Sequence, residues 1–373
     1  MEMFAGLDVH SKSCTFVIQN AEGKVMASGE FDTTPEGIAT WVSKHKLPKG
    51  TKIGMESGAV TPFVARRLIE LELDAKIINA AEVRKKARRK KQKTDISDAA
   101  EICDGVRRDI YVSIVELPDA FAQALRDKLS ERRHYIRART REVNAVKGMM
   151  RKEGLGRLYR SLTSKTAFEK LLMLPQLTDS MKACIKRHLG LWTAANTQVD
   201  ELDKELEELG EQKADTVARL QTVPGVGPVI ALTSMAYFNN PKRFPNAKHA
   251  ASYSGLIPQT YNSAERETYG HITKEGPAEL RAMLCEAAHH AAKKNHPLNP
   301  IFHKLKTQKG YKVAVVAVAH RLARILWSML KNETEFDAKK FSPQPSAAWD
   351  EVIDKAFVVP ETISLRLSHV TIQ

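Results

Sequence analysis

Cysteine is scarce in this sequence and is never paired at short spacing. The four cysteines, among 373 residues, are Cys14, Cys103, Cys184 and Cys285. Zinc ribbons and small disulfide scaffolds both need cysteines that are close together and paired. The sequence therefore argues against both classes, and its cysteine usage fits a reducing compartment.

A secretion signal and long apolar runs are missing as well. The first residues, MEMFAGLDVHSK, have neither the charged start nor the apolar stretch of a signal peptide. We find no apolar run that approaches the length needed to span a bilayer. We therefore expect a cytoplasmic protein with no membrane partner.

Negative charge is in deficit relative to positive charge. The chain has 58 lysines and arginines against 44 aspartates and glutamates, a formal net charge of +14 with histidine neutral. Such a surplus favours polyanionic partners, with nucleic acid ahead of a membrane surface. Aromatic residues are only 6% of the chain, and few stand among the basic residues. We therefore expect contact with the nucleic-acid backbone rather than stacking on bases.

The first 115 residues have the pattern of an α/β domain. Short runs rich in apolar residues predict strands at 4–9, 14–18, 24–31, 52–56 and 75–79. Helix-start signals and helical spacing predict helices at 33–46, from Pro62 to about Glu72, and from about Thr94. Strands and helices in this order predict a layered domain around a mixed sheet.

The remaining residues are predicted to be mostly helical. Long charged stretches from about Asp119 to Gln212 indicate a helical hairpin or coiled coil, with a turn at 153–165. Gly and Pro interrupt a third helical unit from about Leu220 to Asp337. We predict four segments: 1–115, 116–215, 216–337, and a tail at 338–373 of unassigned role.

Four carboxylates stand where the predicted elements end or begin. Asp8 ends the first strand, Glu56 ends the fourth, and Asp95 and Asp98 lie three residues apart near a helix start, on one face. Any one of them alone has an ordinary explanation as a turn cap or a first-turn charge. Four anions cluster only around a cation, and oxygen ligands suit Mg²⁺, with Mn²⁺ as the alternative. Together they predict a metal site for phosphoryl transfer.

Two basic segments are candidate nucleic-acid contacts. The run VRKKARRKKQK (83–93) leads directly into the helix that carries Asp95, and the following long helix holds a second group of arginines. A run this dense is usually mobile until it meets a polyanion, and a merely solvated surface is the alternative. The predicted contacts in these segments are Arg84, Lys85, Lys86, Arg88, Arg89, Lys90, Lys91, Lys93, Arg133 and Arg137.

The C-terminal segment contains a glycine-rich turn and several serines. VPGVG (223–227) enters a helix in a helix-hairpin-helix-like pattern, which lets backbone N–H groups approach a DNA phosphate, although a plain tight turn explains it equally well. Lys274 and Arg281 lie near a later turn, placed for phosphate contact or simply solvated. Ser252, Ser254 and Ser263 are candidate nucleophiles, and composition does not choose among them. No Ser-His-Asp spacing indicates a hydrolase.

Taken in order, these motifs closely resemble one family. GLDVH with Asp8, MESG with Glu56, KTDISDA with Asp95 and Asp98, then VPGVG, SGLIP and ITKEGPAELR, cover about residues 4–330. The resemblance is to the DEDD transposases of the bacterial insertion-sequence one-ten family, which also includes Piv-type DNA invertases. It implies a RuvC-like ribonuclease H-fold domain, a helical coiled-coil segment and a mostly helical C-terminal transposase domain.

The same resemblance implies a composite active site and a set of partners. In the family, the four carboxylates bind Mg²⁺ and a C-terminal serine attacks DNA. That serine follows an aromatic and a polar residue shortly after GL-x-P, which Ser263 matches and Ser254 does not. The resemblance further implies double-stranded donor and target DNA, a structured noncoding guide RNA (the bridge RNA), and dimers joined into tetramers.

Other functions remain open at this point. A RuvC-like Holliday-junction nuclease would use the same carboxylates with water as nucleophile, and a Piv-type invertase would use the full set on an invertible segment. A non-catalytic nucleic-acid-binding protein would be indifferent to Asp8 and to Mg²⁺. The glutamates that follow the candidate serine, Glu265 and Glu267, depart from the family pattern. No nucleotide-binding loop is visible, so we expect a reaction that needs no ATP.

Overall fold

The computed structural model describes residues 2–86, 94–157, 161–263 and 266–341; for residues 260–263, 266–269, 340 and 341 it describes the backbone alone. The chain divides into two units, Met1–Leu117 and Pro118–Gln373. The tail beyond residue 341 lies outside the described residues, as does the part of the basic run at 87–93.

The first unit is built on one mixed sheet. Its elements are β1 (Met3–Val9), β2 (Ser13–Asn20), β3 (Val25–Asp32), α1 (Pro35–Lys44), β4 (Lys52–Glu56), α2 (Thr61–Glu70), β5 (Asp74–Ile78), α3 (Ala80–Lys86), α4 (Asp95–Arg107) and β6 (Ile114–Val115). The strand order is β3-β2-β1-β4-β5-β6. Strands β1, β4 and β5 run parallel, while β2, β3 and β6 pair antiparallel with their neighbours. This confirms the predicted mixed α/β architecture.

The two faces of this sheet have separate cores because side chains alternate along each strand. On one face, Leu7 and Met55 pack with residues of α1 and α2 such as Trp41 and Leu68. On the other face, Phe4 of β1 packs with α4. Gly6 and Asp8 share the face of Phe4, so the candidate carboxylate Asp8 lies on the side that α4 covers.

Two glycines let α4 lie directly on the sheet. Gly6 of β1 is paired with Gly54 of β4. A Cβ atom on Gly6 would lie 2.1 Å from the carbonyl oxygen of Ala99 and 2.4 Å from the backbone nitrogen of Cys103. At Gly54, a Cβ atom would lie 2.3 Å from a methyl group of Val106. The helix therefore sits closer to the sheet than any side chain at these positions would permit.

Replacing Gly6 with alanine is expected to destabilise the protein by about 1–3 kcal/mol, the usual range for overpacking. The atoms that a methyl group would meet belong to the backbone of α4, so the helix itself must move. Gly54→Ala should cost less because its neighbours are side chains. In contrast, Gly190→Ala, in a helix with nothing within 4 Å, should stabilise the protein by up to about 1 kcal/mol. Urea denaturation of the three variants tests this ranking, and a Gly6→Ala protein as stable as the wild type would contradict it.

The predicted strands and helices of the first unit are confirmed, with shifts of a few residues at their ends. Helix α3 and the two-residue strand β6 were not predicted from the sequence. Residues 83–86, which we had assigned to a mobile basic run, belong to α3. Glu82 fixes this region: its carboxylate accepts hydrogen bonds from the backbone N–H groups of Val112 at 3.1 Å and Ser113 at 2.6 Å. Although burial raises the pKa of Glu82, these bonds and one from Lys86 lower it to about 2.

The second unit begins with two long antiparallel helices. Its elements are α5 (Ala120–Lys152), α6 (Lys165–Leu172), α7 (Asp179–Glu211), α8 (Ala214–Gln221), α9 (Pro228–Tyr237), α10 (Ala247–Tyr253), β7 (Pro258–Ser263), β8 (Arg266–Ile272), α11 (Ala278–His289), α12 (Asn299–Lys309) and α13 (Tyr311–Asn332). Arg132 binds Asp203, and Glu142 lies 2.8 Å from His188, so the partners run in opposite directions along α5 and α7. The predicted helical hairpin is present, but its connection contains α6 and is longer than the predicted turn.

The C-terminal part of this unit has one large helical core. It gathers residues from α8 to α13 together with Leu125 and Leu129 of α5 and Leu206 of α7, so the base of the helical hairpin belongs to it. A second core, around Phe168 and Trp192, lies at the opposite end of the hairpin. The antiparallel strands β7 and β8 interrupt the helices. The sequence analysis did not predict this pair of strands.

Helix α13 is long and apolar enough to cross a membrane by length and composition, and the sequence analysis overlooked it. In the structure, 61% of its apolar window is buried inside the second unit. Leu322 and Leu326 are fully buried in the large helical core. We interpret α13 as a core helix, and the cytoplasmic location stays a prediction.

Candidate active site

The first two carboxylates lie at neighbouring strand ends. Asp8 is the penultimate residue of β1, and Glu56 is the last residue of β4. The two strands are parallel, and Leu7 pairs with Met55, so Asp8 and Glu56 are the next residues along. Adjacent strands lie about 4.8 Å apart, and alternation places both side chains on the face that α4 covers. The sheet register therefore brings these two carboxylates to one edge.

The other two carboxylates are placed by the start of α4. Thr94 caps this helix: its hydroxyl accepts a hydrogen bond from the N–H of Ser97 at 3.2 Å, and the Ser97 hydroxyl accepts one from the N–H of Thr94 at 3.0 Å. This reciprocal capping box fixes the first turn. Asp95 and Asp98 both lie in that turn, with Asp95 exposed and Asp98 half-buried.

A histidine that we did not single out lies between the two groups. The Nε2 atom of His10 is 3.2 Å from Oδ2 of Asp8 and 3.7 Å from Oδ2 of Asp95. Ligand atoms of Asp8, His10 and Asp95 all lie within 4.8 Å of one another. The signal was present in the sequence, since residues two apart on an extended strand share a face. His10 follows Asp8 at that spacing.

The electrostatics at Asp8 show how crowded with negative charge this edge is. Burial raises the pKa of the Asp8 carboxyl, His10 lowers it, and the negative charges of Asp95 and Asp98 raise it again, leaving the pKa above its usual value. A bound cation would reverse this balance because it favours the ionised form. The carboxylate oxygens of Asp8 and Asp95, which lie within 4.8 Å of each other, fit a divalent metal ion.

The candidate serine Ser263 is the last residue of β7, where its backbone pairs with Arg266 at the start of β8. Its side chain lies outside what the structure describes. Ser254 is fully buried, and its hydroxyl donates a 2.6 Å hydrogen bond to the carbonyl of Ala251. A buried hydroxyl held in this way is poorly placed to meet DNA.

Some of the predicted basic contacts are exposed, and another is held by bonds within the first unit. Arg84 and Lys85 of α3 are exposed. Lys86 instead forms an ion pair with Glu82 at 2.6 Å and also donates to the carbonyl of Ile110. Its charge is held within the first unit. The other predicted contacts of this run, Arg88, Arg89, Lys90, Lys91 and Lys93, lie outside the described residues.

The arginines of α5 lie beside a buried carboxylate. Arg133 and Arg137 line a cavity of about 180 Å³ together with Glu279 of α11. Burial raises the pKa of Glu279, and the positive charges of Arg133 and Arg137 oppose that shift. Arg137 is exposed and Arg133 half-buried. Part of this basic surface therefore balances a buried acid inside the second unit.

The loop that carries Lys274 packs tightly on the segment that contains Ser254. Gly276 lies so close to Tyr253 that a Cβ atom would be 2.0 Å from its carbonyl oxygen. Arg281 donates a 3.1 Å hydrogen bond to the carbonyl of Ser254. Lys274 is exposed with a φ of 55°. Of the two predicted phosphate contacts here, Lys274 is exposed, and Arg281 binds the segment that contains Ser254.

The VPGVG turn links α8 to α9. Gly225 has a φ of 87°, and a Cβ atom there would lie 2.8 Å from Cβ of His290. His296 holds the turn through a 2.9 Å hydrogen bond between its Nε2 and the carbonyl of Pro224. Gly227, at the start of α9, has open space where a side chain would be. Packing thus explains the first glycine, and the second leaves the helix start accessible.

Family models match both units of the chain. A DEDD transposase model of the IS110 type matches residues 5–153, and a model described as "Transposase IS116/IS110/IS902 family" matches residues 217–304. The first match contains all four carboxylates, and the second contains VPGVG, SGLIP and ITKEG. The chain belongs to the IS110-family DEDD transposases. The resemblance seen in the sequence is confirmed.

This transposase is also similar to two curated transposases and to a gene-inverting protein. A probable family 20 transposase of Pseudomonas aeruginosa is 26% identical over 76% of this chain and 84% of its own length. A transposase for insertion sequence element IS1111A of Coxiella burnetii is 24% identical over 66% of this chain and 69% of its own. A pilin gene-inverting protein of Moraxella bovis is 26% identical over 44% of this chain and 52% of its own.

These matches establish the class of enzyme. The transposase is a DNA-recombining enzyme of an insertion sequence, its substrates are DNA, and its DEDD domain indicates that it uses a divalent metal ion.

Proposed function

We propose that this transposase exchanges DNA strands in an Mg²⁺-dependent reaction with a covalent phosphoserine intermediate. Asp8, Glu56, Asp95 and Asp98 are the proposed metal ligands, and Ser263 is the proposed nucleophile. The observation that carries the proposal is the meeting of Asp8 and Asp95 at the end of β1, with Asp98 close enough to raise the pKa of Asp8. Carboxylates this close together repel each other, and a bound cation would offset that repulsion.

The chemistry assigned to Ser263 is an in-line exchange at phosphorus. Its hydroxyl oxygen forms a bond to a DNA phosphate while the bond from that phosphorus to the 3′ oxygen breaks. The serine gives up its proton, and the departing 3′ oxygen takes one up, so a free 3′-hydroxyl is released. Because the phosphodiester energy is kept in the phosphoserine bond, a second 3′-hydroxyl reverses the reaction on a new partner without ATP.

The carboxylates have an organising role in this reaction. A bound divalent ion would supply Lewis-acid stabilisation of the charge that develops on the attacking and departing oxygens. Asp8 and Glu56 are held by the sheet register, and Asp95 and Asp98 by the capped start of α4. These rigid elements keep the ligand oxygens in place before substrate arrives.

The proposed partners follow from charge and family. The net charge of +14 supports binding to donor and target DNA and to a structured noncoding guide RNA. Arg84, Lys85, Arg137 and Lys274 are exposed side chains suited to phosphate contact. We further propose a RuvC-like ribonuclease H fold for the first unit and assembly into dimers and tetramers. The helical segment 116–215 and the transposase segment 216–337 are the proposed divisions of the second unit.

The test is to identify the residue that becomes joined to DNA. The full-length transposase is incubated with Mg²⁺, its guide RNA and radiolabelled element ends, and denatured before exchange is complete. A protein–DNA adduct should appear on a denaturing gel, and mass spectrometry of its peptides should place the modification on Ser263. Cleaved DNA without an adduct would favour the Holliday-junction nuclease, in which water attacks. An adduct on another residue would overturn the assignment of Ser263.

Inversion of a DNA segment is the second candidate function. The similarity to the pilin gene-inverting protein of Moraxella bovis supports it. Both functions use the same residues, so the DNA that flanks the gene separates them. Element ends beside a noncoding stretch indicate transposition, and an invertible segment indicates inversion.

A further inference from the structure

His10 lies between two of the four candidate carboxylates, Asp8 and Asp95, although it is not itself one of the four. Its Nε2 atom lies within 4 Å of oxygens on both Asp8 and Asp95, which belong to different elements. Ligand atoms that bind one metal ion at about 2.0–2.2 Å lie about 3–4 Å from one another, and both of these distances fall in that range. The imidazole nitrogen therefore occupies a position from which it can bind the same metal ion as both carboxylates.

The backbone around His10 is held from two sides. Its N–H donates a 3.0 Å hydrogen bond to the carbonyl of Ser13, and its own carbonyl accepts a 2.9 Å bond from the hydroxyl of Thr33. Thr33 also donates its backbone N–H to the carbonyl of Lys12 at 2.9 Å. The turn between β1 and β2 is thus tied to the end of β3. These hydrogen bonds fix the backbone position from which the His10 imidazole extends, although the side chain itself is half exposed.

An imidazole ligand changes which metal ion the site prefers. Mg²⁺ takes oxygen ligands and keeps several waters. First-row transition ions bind an imidazole nitrogen readily, and their affinity for mixed nitrogen and oxygen sites exceeds that of Mg²⁺. A cluster of carboxylates alone would discriminate weakly between Mg²⁺ and Mn²⁺. A cluster with one imidazole nitrogen would favour the transition ion.

We propose that His10 is a further metal ligand, bound through Nε2, and that it makes this centre select a first-row transition ion such as Mn²⁺ over Mg²⁺. The inference rests on the proposed function of Asp8 and Asp95 as metal ligands. It adds a ligand and a preference in binding affinity to the four-carboxylate set, and Mg²⁺ still supports the proposed reaction wherever it is the more abundant ion.

The experiment measures binding of Mn²⁺ alone to the metal-free, full-length transposase. Electron paramagnetic resonance of unbound Mn²⁺ gives the affinity, competition with Mg²⁺ gives the preference, and electron spin-echo modulation detects a nitrogen bound to the ion. The wild-type protein should show nitrogen coupling. His10→Gln, which places an amide oxygen or nitrogen near the position of Nε2, should lose the imidazole coupling and bind Mn²⁺ about tenfold more weakly or worse. Its Mg²⁺ affinity should change by about twofold at most.

Control variants keep this inference separate from the proposed function. His134→Ala removes an exposed histidine of α5 and should leave every readout unchanged. If Asp8→Asn and Asp95→Asn bind both ions as the wild type does, the proposed carboxylate site itself is wrong. If those variants lose Mn²⁺ while His10→Gln keeps the nitrogen coupling and the wild-type preference, only the assignment of His10 is overturned. His10→Ala, with no ligand atom, should match or exceed the loss in His10→Gln.

Discussion

Replacing Ser263 with alanine is expected to abolish strand exchange while DNA binding stays within about twofold of the wild type. The change removes one oxygen atom, and with it the only proposed acceptor of the phosphoryl group. Loss of a catalytic nucleophile costs about 10⁴-fold or more in rate, since the remaining groups have no bond-forming partner to act on. The measurement is recombination between a plasmid-borne element and its target, beside a gel-shift assay with the same DNA.

Ser252→Ala is the matched control because it removes the same hydroxyl from a serine eleven residues earlier, which was also a candidate. It should recombine within about twofold of the wild type, a change typical of a substitution outside the reacting groups. A Ser263→Ala protein that still recombines would refute the serine assignment. Loss of activity in Ser252→Ala alone would transfer the role to that residue.

Asp8→Asn is expected to reduce strand exchange by about 10³-fold or more. Asparagine has nearly the same shape but no charge, so it weakens the metal site without opening a cavity. Metal ions supply several kcal/mol of stabilisation to the charge that develops in phosphoryl transfer, and each 1.4 kcal/mol is tenfold in rate. Measured rates of exchange at saturating DNA should show this loss, and added Mg²⁺ should stabilise the variant less than the wild type in thermal melts.

The same substitution is expected to make the metal-free protein more stable at neutral pH. Burial and the charges of Asp95 and Asp98 raise the pKa of Asp8, so its ionised form is less favourable in the folded protein than in the unfolded chain. Removing that charge relieves the cost, although the interaction with His10 is weakened. The negative charge that the proposed metal site needs at Asp8 therefore lowers the stability of the metal-free protein.

Asp109→Asn provides the control for this pair of effects. Its side chain is 79% exposed at the surface of the same unit, and its carboxylate lies 3.8 Å from Lys76. Both activity and metal-induced stabilisation should match the wild type, because exposed ion pairs contribute little. An Asp8→Asn protein with wild-type activity would remove Asp8 from the metal site.

Much of the first unit was predictable because its signals are local. Apolar runs marked β1, β4 and β5, and Thr94 marked the start of α4, so all four carboxylates could be assigned to the end or start of an element with no knowledge of packing. The short strand β6 and helix α3 were missed because neither has a local pattern. Strand β6 forms by pairing with β5, and Glu82 of α3 binds the backbone of Val112 and Ser113, about thirty residues away.

In the second unit, the sequence predicted the helical hairpin but not the strands β7 and β8 around Ser263. The segment PQTYNSAERETYGHI is polar and lacks the alternation that marks a half-buried strand. The two strands pair with each other locally, Ser263 with Arg266, but this polar composition gives no signal of that pairing. The role of individual basic residues was also not predictable from the sequence. Lys86 and Arg281 were predicted to contact phosphate, but Lys86 pairs with Glu82 and Arg281 binds the carbonyl of Ser254.

The sequence by itself determined the family, the four candidate carboxylates and the order of strands and helices that carries them, because each depends on residues near one another in the chain. Only the tertiary structure decided that Asp95 meets Asp8. The pairing of Gly6 with Gly54 allows α4 to lie on the sheet, which places Asp95 beside Asp8. The turn held by Thr33 brings His10 between them. Contacts between side chains of different elements depend on how closely the backbones approach and on strand register, and neither can be predicted from a local pattern of residues.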